Sequence, residues 1–543
     1  MSPDIFRMPH CFSRLSPSRL PLLVLLGLAA GGCARRHYFQ PDARIGPGST
    51  AALPPTTDSV LTTAGRHYNR HSGFYCLFLG RHYRRVWAAP ATVPVLRLAT
   101  AVPGGLQAGK PGGGYQSISM TLNGADGREY ALRALDKEPS KTLPKVLRHS
   151  FVLNVVRDAT SAAIPYGALT VPPLAEAAGV PHTRPRLVYV RADETGLATM
   201  SERFRGKVAL LEEKYNALAS RTPDLAGTTG FVGGEDMLKT VYDNPAHTID
   251  QPAFLRARLL DVWLGDWDRH EGQWQWATFE QPGGRVRYQA IPKDRDQVYF
   301  RFDDGLIPWL AARHFIAPQF HTFKSEYGYM AGLVYQAQFI DQRGLSQMTR
   351  ADFQRLARDL QSRLPDSLIE RAMHRLPPAV YALEGPRLVA ALKARRQTLP
   401  QAAEAYYLTL AREPVLGGTA LPERFVVHRY SDSTTVRVFS HSLGRLPAGD
   451  SLRFRRTYFT AETHELALDG LGGDDVFEVT ASGAGKPIPL LLYGGAGHDV
   501  LRLQGPTRRL KLYDEASGIS ASNSMHPHLP KKRHRAYDRL NDD

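Results

Sequence analysis

Four of the chain's six tryptophans lie between Val262 and Trp276, wrapped around Asp266, Asp268, Arg269, His270 and Glu271. Side chains this costly to desolvate rarely sit among large aromatics unless a partner or a reaction holds them there. Whatever the chain folds into must satisfy both demands within one short segment. About twenty residues on, Ala290-Ile291-Pro292-Lys293-Asp294-Arg295-Asp296-Gln297 closes an apolar strand with a second charged cluster. Two acidic clusters, the second at a strand end, point to a site for metal and phosphate. A structural reading stands beside it. Asp268, Arg269 and His270 would then be a salt-bridge network capping a helix, Asp294 and Asp296 would pair with Arg295 and Lys293, and the tryptophans would be packing.

The N-terminus carries Arg14 and Arg19, the apolar run Leu20–Ala30, then Gly31-Gly32-Cys33. A short apolar core with basic flanks and small residues before a cut site reads as an export signal. It is shorter than the roughly 20 residues that a stable span needs. Cysteine directly after Ala-Gly-Gly is similar to a bacterial lipoprotein box, which would make Cys33 the lipidated first residue and the membrane a partner. A plain secretory signal is the alternative, since Ala30 stands where Leu is usual. Cys11 leaves with the signal, so Cys76 has no disulfide partner and the mature chain must rely on apolar cores. The net charge of +16 in an exported protein favours an anionic membrane surface or acidic substrates over nucleic acid. The one sharp basic run, Pro530–Arg535, reads most simply as a solvated tail.

Residues 33–90 lack helical or strand periodicity and read as a tether and docking segment, with His82–Trp87 as anchor. Strands Ser117–Leu122 and Glu129–Leu135 around Asn123-Gly form a hairpin, preceded by the turn Gly112-Gly113-Gly114 and followed by Lys137. The spacing predicts helices over 143–163, 172–178 and 252–264, strands over 186–190 and 285–291, and a helical region over 350–412 broken at Pro365 and Pro377-Pro378. After Glu413 come short alternating runs with Gly and Asp turns. Gly470, Gly473, Asp475 and Phe477 match Gly494, Gly497, Asp499 and Leu501 at a 24-residue offset. The second copy fits a calcium-binding nonapeptide, but such sites need neighbours every nine residues or so. Two β-turns of a small sandwich or solenoid are expected instead.

Several chemistries find little support. A two-metal phosphoesterase needs separated donor segments such as Gly-Asn-His, which does not occur, and Gly-Asp-x-x-Asp is broken by Arg269. His270 has no His-x-x-x-His pair or cysteine set for zinc, and there is no Gly-x-Ser-x-Gly elbow. Phosphoryl transfer uses more of the parts: a cover for the phosphates, a lysine on them, an aspartate for the acceptor hydroxyl, and an acid and an amide for divalent metal. In chain order the sequence offers Gly112–Gly114, Lys137, Asp268, Gln273, then Asp294 and Asp296.

Asp268-Arg269-His270-x-x-Gln273 resembles the Asp-Arg-His-x-x-Asn loop of atypical kinases: the phosphoinositide kinases, HipA-type kinases and secretory-pathway casein kinases. Ile291–Phe300 resembles the Pro-Trp-Asp-x-Asp segment of the CotH spore-coat kinases. The resemblance implies ATP with Mg²⁺ or Mn²⁺ as cofactors, Asp268 as catalytic base in a loop with Arg269 and His270, and Gln273, Asp294 and Asp296 on the metal. It also puts Lys137 on the phosphates, with Arg133 competing for that role, beneath the glycine turn. Gln273 departs from the usual Asn. Helix 143–163 offers only Asp158, and no Glu, to pair with Lys137. The wider chain, through His82–Trp87, Arg133–Lys137, Gly265–His270 and Pro292–Gln297, is similar to large uncharacterised bacterial envelope proteins. In those, such a region often precedes a BamA-like outer-membrane barrel. That implies a soluble part, periplasmic or surface-exposed, with a barrel as possible partner; this chain stops near Tyr537, where a barrel would begin.

The expected fold class is α+β: a bilobal protein-kinase-like module, then a helical region and a small all-β domain. The expected divisions are an export signal (1–32), the tether (33–90), the kinase-like domain with its helical extension (91–412), the β domain (413–520) and a basic tail (521–543). The expected function is envelope phosphotransfer to an unknown acceptor. The alternative is a non-catalytic, pseudokinase-like envelope scaffold. In a scaffold, Arg269, Arg295 and Lys293 would neutralise the acids of the cleft.

Overall fold

A computed structural model describes residues 34–521, apart from short stretches at 36, 48, 50, 113–116, 314–316, 441–450, 484 and 514–518. The export signal with Cys33, the basic tail, and Gly113 and Gly114 lie outside the described residues.

The segment read as a tether is part of the body. Strand β1 (Ser59–Thr62) pairs with β2 (Ala91–Pro94), and between them run helices α1 (Gly73–Leu79) and α2 (Arg84–Trp87). Tyr38, Tyr68, Tyr83, Val86 and Trp87 are buried in a core that continues to Ala411. Periodicity failed here because these residues bury singly against other segments, Trp87 donating its indole N–H to Ala163 O at 2.9 Å.

Strands β3 (Leu106–Gly112), β4 (Ser117–Gly124) and β5 (Glu129–Lys137) form an antiparallel meander, with the expected hairpin at β4–β5. The predicted helix 143–163 shrinks to α3 (Phe151–Asp158) between short 3₁₀ turns. Ser150 stops it from starting earlier, because its hydroxyl accepts from Val152 N and so caps a new helix there. Helix α4 (Val171–Ala178), strand β6 (Arg186–Tyr189), α5 (Ser201–Phe204) and β7 (Val208–Lys214) follow. The sheet order is β3-β4-β5-β7-β6, antiparallel throughout.

Then come β8 (Gly230–Gly233), α6 (Gly234–Asp243), β9 (His247–Ile249) and α7 (Gln251–Leu264). The hairpin β10 (Trp274–Gln281) and β11 (Arg285–Pro292) completes a second sheet, order β8-β10-β11-β9. Beyond it lie α8 (Leu306–Ala312), α9 (Met330–Leu333) and α10 (Gln338–Gly344). The helical region consists of α11 (Arg350–Arg363), α12 (Asp366–Met373), α13 (Pro378–Gln397) and α14 (Leu399–Ala411). Its breaks fall at Pro365 and Pro377, as the prolines dictate, with one more at Thr398 before Leu399-Pro400.

The C-terminal part is a solenoid. Strands β12 (Val415–Gly417), β16 (Leu466–Asp469), β18 (Leu490–Tyr493) and β20 (Leu510–Tyr513) stack parallel in one sheet. Opposite stack β13 (Glu423–Arg429), β17 (Val476–Ala481), β19 (Asp499–Gln504) and β21 (Ile519–Ala521), extended at one edge by β14 (Ser433–Ser440) and β15 (Ser451–Phe459). Each rung crosses from one sheet to the other, enclosing Phe425, Phe477, Leu492 and Leu501. The register pairs Leu466 with Leu490 and Leu490 with Leu510, so the 24-residue repeat shortens to 20 in the last rung. Acids knit the turns: Glu423 N donates to Asp475 Oδ1 at 2.8 Å, and Asp475 N to Asp499 Oδ1 at 2.9 Å.

Candidate active site

Helix α7 ends because Gly265 takes a left-handed conformation (φ 68°), which lacks a Cβ penalty only in glycine. The chain then turns through Asp266–Gln273 and enters β10; β11 returns it, and at Pro292 it leaves the sheet as Lys293-Asp294-Arg295-Asp296. The hairpin therefore carries the two charged clusters side by side, Lys293 N donating to Gln273 O at 3.0 Å.

Beneath them lies a dry ionic layer. Asp261, fully buried on α7, accepts from Arg258 Nη1 at 2.7 Å and Arg269 Nε at 3.2 Å, and also from Arg295. Arg258 also grips Asp341 of α10 at 2.7 and 3.0 Å, and Arg295 reaches Asp266 at 3.1 Å. Burial pushes the Asp261 carboxyl up, but Arg295, Arg269 and Arg258 outweigh it and hold it below its ordinary range. Asp266, with fewer partners, is pushed up to about 7 by burial.

Arg269, expected among the catalytic residues, belongs to this layer. Its side chain is wholly enclosed, its guanidinium lies over Trp274 at 4.6 Å, and it donates to Lys293 O at 2.6 Å and Gln273 O at 3.2 Å. It clamps the Asp268 loop to the Asp294–Asp296 segment and has no path to a substrate.

Above the layer, partly exposed, stand the remaining acids. Lys137, at the end of β5, donates from Nζ to Asp296 Oδ2 at 2.5 Å. Arg133, four residues earlier on β5, pairs with Glu212 of β7 and has its Nε 3.9 Å from Asp294 Oδ2. Lys137 and Arg133 of β5 thus face Asp296 and Asp294, which follow β11. Asp294 holds a left-handed backbone (φ 54°), uncommon outside glycine but tolerated best by Asp and Asn. Asp268 is raised to about 7 by burial and by repulsion from Asp296 and Asp294, with Lys137 opposing. Burial and Asp294 likewise raise Asp296, while Asp296 and Asp294 outweigh burial at Lys137 and keep its ammonium charged. Three carboxylates therefore share Lys137, while at Asp294 burial is outweighed by Arg133, Lys137, Arg269 and Lys293, which hold its carboxyl below the ordinary range.

His270 caps the turn Glu271–Gln273, its Nδ1 accepting from Gly272 N at 3.1 Å, and its Nε2 lies 4.0 Å from Asp268 Oδ1. Gln273 closes that turn, partly exposed, five residues after Asp268. Gly112 ends β3 opposite Ser119. Asp158, the one acid on α3, turns away from Lys137 and pairs with Arg84 at 2.5 and 2.6 Å. Among the described residues no three His, Cys, Asp or Glu side chains form a closed metal cage. The carboxylates gathered here are those of Asp268, Asp294 and Asp296.

Sequence reasoning missed Glu212, which anchors Arg133, and the Arg258–Asp261–Asp341 layer. The signal was present: Arg258 and Asp261 stand three residues apart on the otherwise apolar stretch Ala257–Leu264.

No protein-family model matches the chain, and no curated protein matches it. Among solved structures the chain is similar to HipA of Shewanella oneidensis MR-1, from a complex of the toxin–antitoxin proteins HipA and HipB with operator DNA. The identity is 12% and the TM-score 0.25, over 55% of this chain and 68% of that one.

Proposed function

We propose that the protein is an ATP- and divalent-metal-dependent phosphotransferase, exported to the cell envelope and held there by lipid on Cys33. The observation that carries the reading is the meeting of Lys137 with Asp296 across two sheets, beside Asp294 and Asp268. The rival, a folded scaffold, needs those acids neutralised by Arg269, Arg295 and Lys293. The two arginines bind Asp261 and Asp266 in the layer below, and no ion pair joins Lys293 to an acid among the described residues, although Arg269 and Lys293 both help to lower Asp294.

Mg²⁺ and Mn²⁺ suit a site with two carboxylates and an amide, because such ions take the rest of their shell from phosphate oxygens and water. When bound, the ion neutralises phosphate charge as it develops. Asp294 and Asp296 would hold it, with Gln273 as a third donor. Lys137 and Arg133 would bind phosphate oxygens. Asp268 would take the proton of the acceptor hydroxyl, its raised proton affinity suiting it to that task near neutral pH. Arg269 keeps this loop in register with the metal-binding segment.

One contact favours the scaffold reading: the Lys137–Asp296 pair satisfies both groups without a metal. Thermal shift separates the two. With ATP and Mn²⁺ the wild type should be stabilised and Asp296→Ala should not. An absence of any shift in the wild type, with the variant folded normally, would refute the enzyme and leave the scaffold.

A further inference from the structure

Helices α1 and α8 lie against each other and turn a continuous apolar face outward. Phe74 and Leu77 of α1 are 73% and 64% exposed, and Leu306, Ile307, Trp309 and Leu310 of α8 are each at least 42% exposed. Neither helix contains a charged residue. Six large apolar side chains on one face exceed what a soluble surface ordinarily leaves to water and mark an interaction site.

The face is built, not incidental. Gly80, after α1, and Gly305, before α8, pack backbone to backbone so closely that a Cβ on Gly305 would overlap Gly80 N. His82 locks the joint, its backbone N donating to Asp304 Oδ2 at 2.7 Å and its Nδ1 lying 2.7 Å from Asp304 Oδ1.

The rim is basic. Arg70, Arg81, Arg85 and Arg313 are exposed beside the two helices, and Arg313 lies over the Trp309 ring at 4.2 Å. From Ser59 to Ala125 the chain contains no Asp or Glu at all. The two acids just before α8 are engaged, Asp304 with His82 and Arg301, and Asp303 with Thr322 N at 3.2 Å.

We propose that this face docks on an anionic phospholipid surface, Trp309 and its aliphatic neighbours entering the acyl boundary and the arginines meeting lipid phosphates. A tryptophan-bearing apolar face with a cationic rim is the composition that interfacial binding demands. The path of the chain agrees. Arg35 N donates to Asn154 Oδ1 at 3.0 Å, and Tyr75 of α1 donates to Asp158 Oδ2 at 3.2 Å. Those two acceptors sit one turn apart on α3, about 6 Å along its axis. Arg35 therefore lies near α1. Asp296 precedes α8 by only ten residues, so docking also fixes how the candidate active site is presented to the membrane.

The test uses residues 34–543, which contain every described element, in flotation with phosphatidylglycerol–phosphatidylcholine vesicles and with phosphatidylcholine alone. The wild type should float with the anionic vesicles, and joint Phe74→Ser, Leu77→Ser, Ile307→Ser and Trp309→Ser substitution should weaken this by at least about tenfold. Arg81→Glu with Arg85→Glu should abolish the preference for anionic lipid. If the serine variant fails to fold, Trp309→Phe decides: the blue shift of tryptophan emission on vesicle addition should disappear with Trp309. No flotation of the wild type, equal flotation of a folded serine variant, or a blue shift that survives Trp309→Phe would overturn the proposal. So would a dimer dissolved by the serine substitutions without any effect on vesicles.

Discussion

The division between a structural ionic layer and a functional acid cluster makes a quantitative prediction about two aspartates seven residues apart. Asp261→Asn leaves the shape of the side chain but removes the charge that Arg258, Arg269 and Arg295 share. Arg258 keeps Asp341 and Arg295 keeps Asp266, whereas Arg269 is left with two carbonyls and a carboxylate 3.9 Å away. Breaking a buried pair in this way costs about 3–5 kcal/mol. Asp268→Asn should do the opposite. Its carboxyl, raised to about 7 from the ordinary 3.8, is carried in the folded state at a penalty of roughly 4 kcal/mol at neutral pH, at about 1.4 kcal/mol per unit. Solvent at its open side reduces this, leaving an expected gain of about 1–2 kcal/mol. Because the folded state holds the Asp268 proton longer than the unfolded state, wild-type stability from this group falls as pH rises from about 4 to about 7. The advantage of Asp268→Asn should therefore grow across that window. Urea unfolding followed by near-UV circular dichroism, with EDTA present, at about pH 5 and about pH 8, measures both effects. The reasoning fails if Asp261→Asn costs under about 1 kcal/mol, or if Asp268→Asn destabilises as much as Asp261→Asn.

Lys137→Met should abolish ATP-dependent stabilisation while leaving the melting temperature without ligand within a few degrees, because its pair with Asp296 is partly exposed; isothermal titration with ATP and Mn²⁺ checks this. Gly265→Ala forces a left-handed Ala and pushes a Cβ onto Phe323. It should cost about 1–2 kcal/mol and weaken metal-dependent nucleotide binding by moving the Asp268 loop, read by thermal shift with and without ATP. Burial raises Asp475 to about 9, so the solenoid should lose stability as pH rises from about 4 through about 9. Asp475→Asn, which keeps an acceptor for Glu423 N, should flatten that profile in chemical denaturation.

The order of the site's parts could be read directly, because each sits at an element boundary that leaves a local mark: Lys137 ends a hairpin strand, Asp268 follows a helix, Asp296 follows a strand. The helical breaks were equally plain, since proline cannot continue a helix. What stayed hidden was direction. The string Asp268-Arg269-His270 does not say that its middle member faces inward to Asp261, because that depends on a guanidinium trio drawn from α7, the loop and the segment after β11. Within 33–90, expected as a tether and docking segment, the anchor His82–Trp87 does dock, but the rest packs too, because its burial is against α3, α13 and the segment around Tyr299, contacts with no sequence period. In the solenoid the two 24-residue copies stand out through their glycines and aspartates, whereas the last, 20-residue rung has Ile519 where those copies have Asp475 and Asp499.

The acid ladder of the solenoid has a consequence for how such a domain can change in length. Each turn's acid caps the backbone of the turn before it, Asp475 serving Glu423 and Asp499 serving Asp475. A rung is thus interchangeable with its neighbour but not divisible. Excision of residues 470–493 would bring Asp499 under Glu423 and restore every stacking partner, Phe477 being replaced by Leu501. Excision of one residue more or fewer would turn alternate side chains inside out and leave the ladder without its rungs in step. Length in this part of the chain is therefore quantised, and the whole-rung deletion should melt cooperatively by calorimetry where its off-by-one neighbours do not.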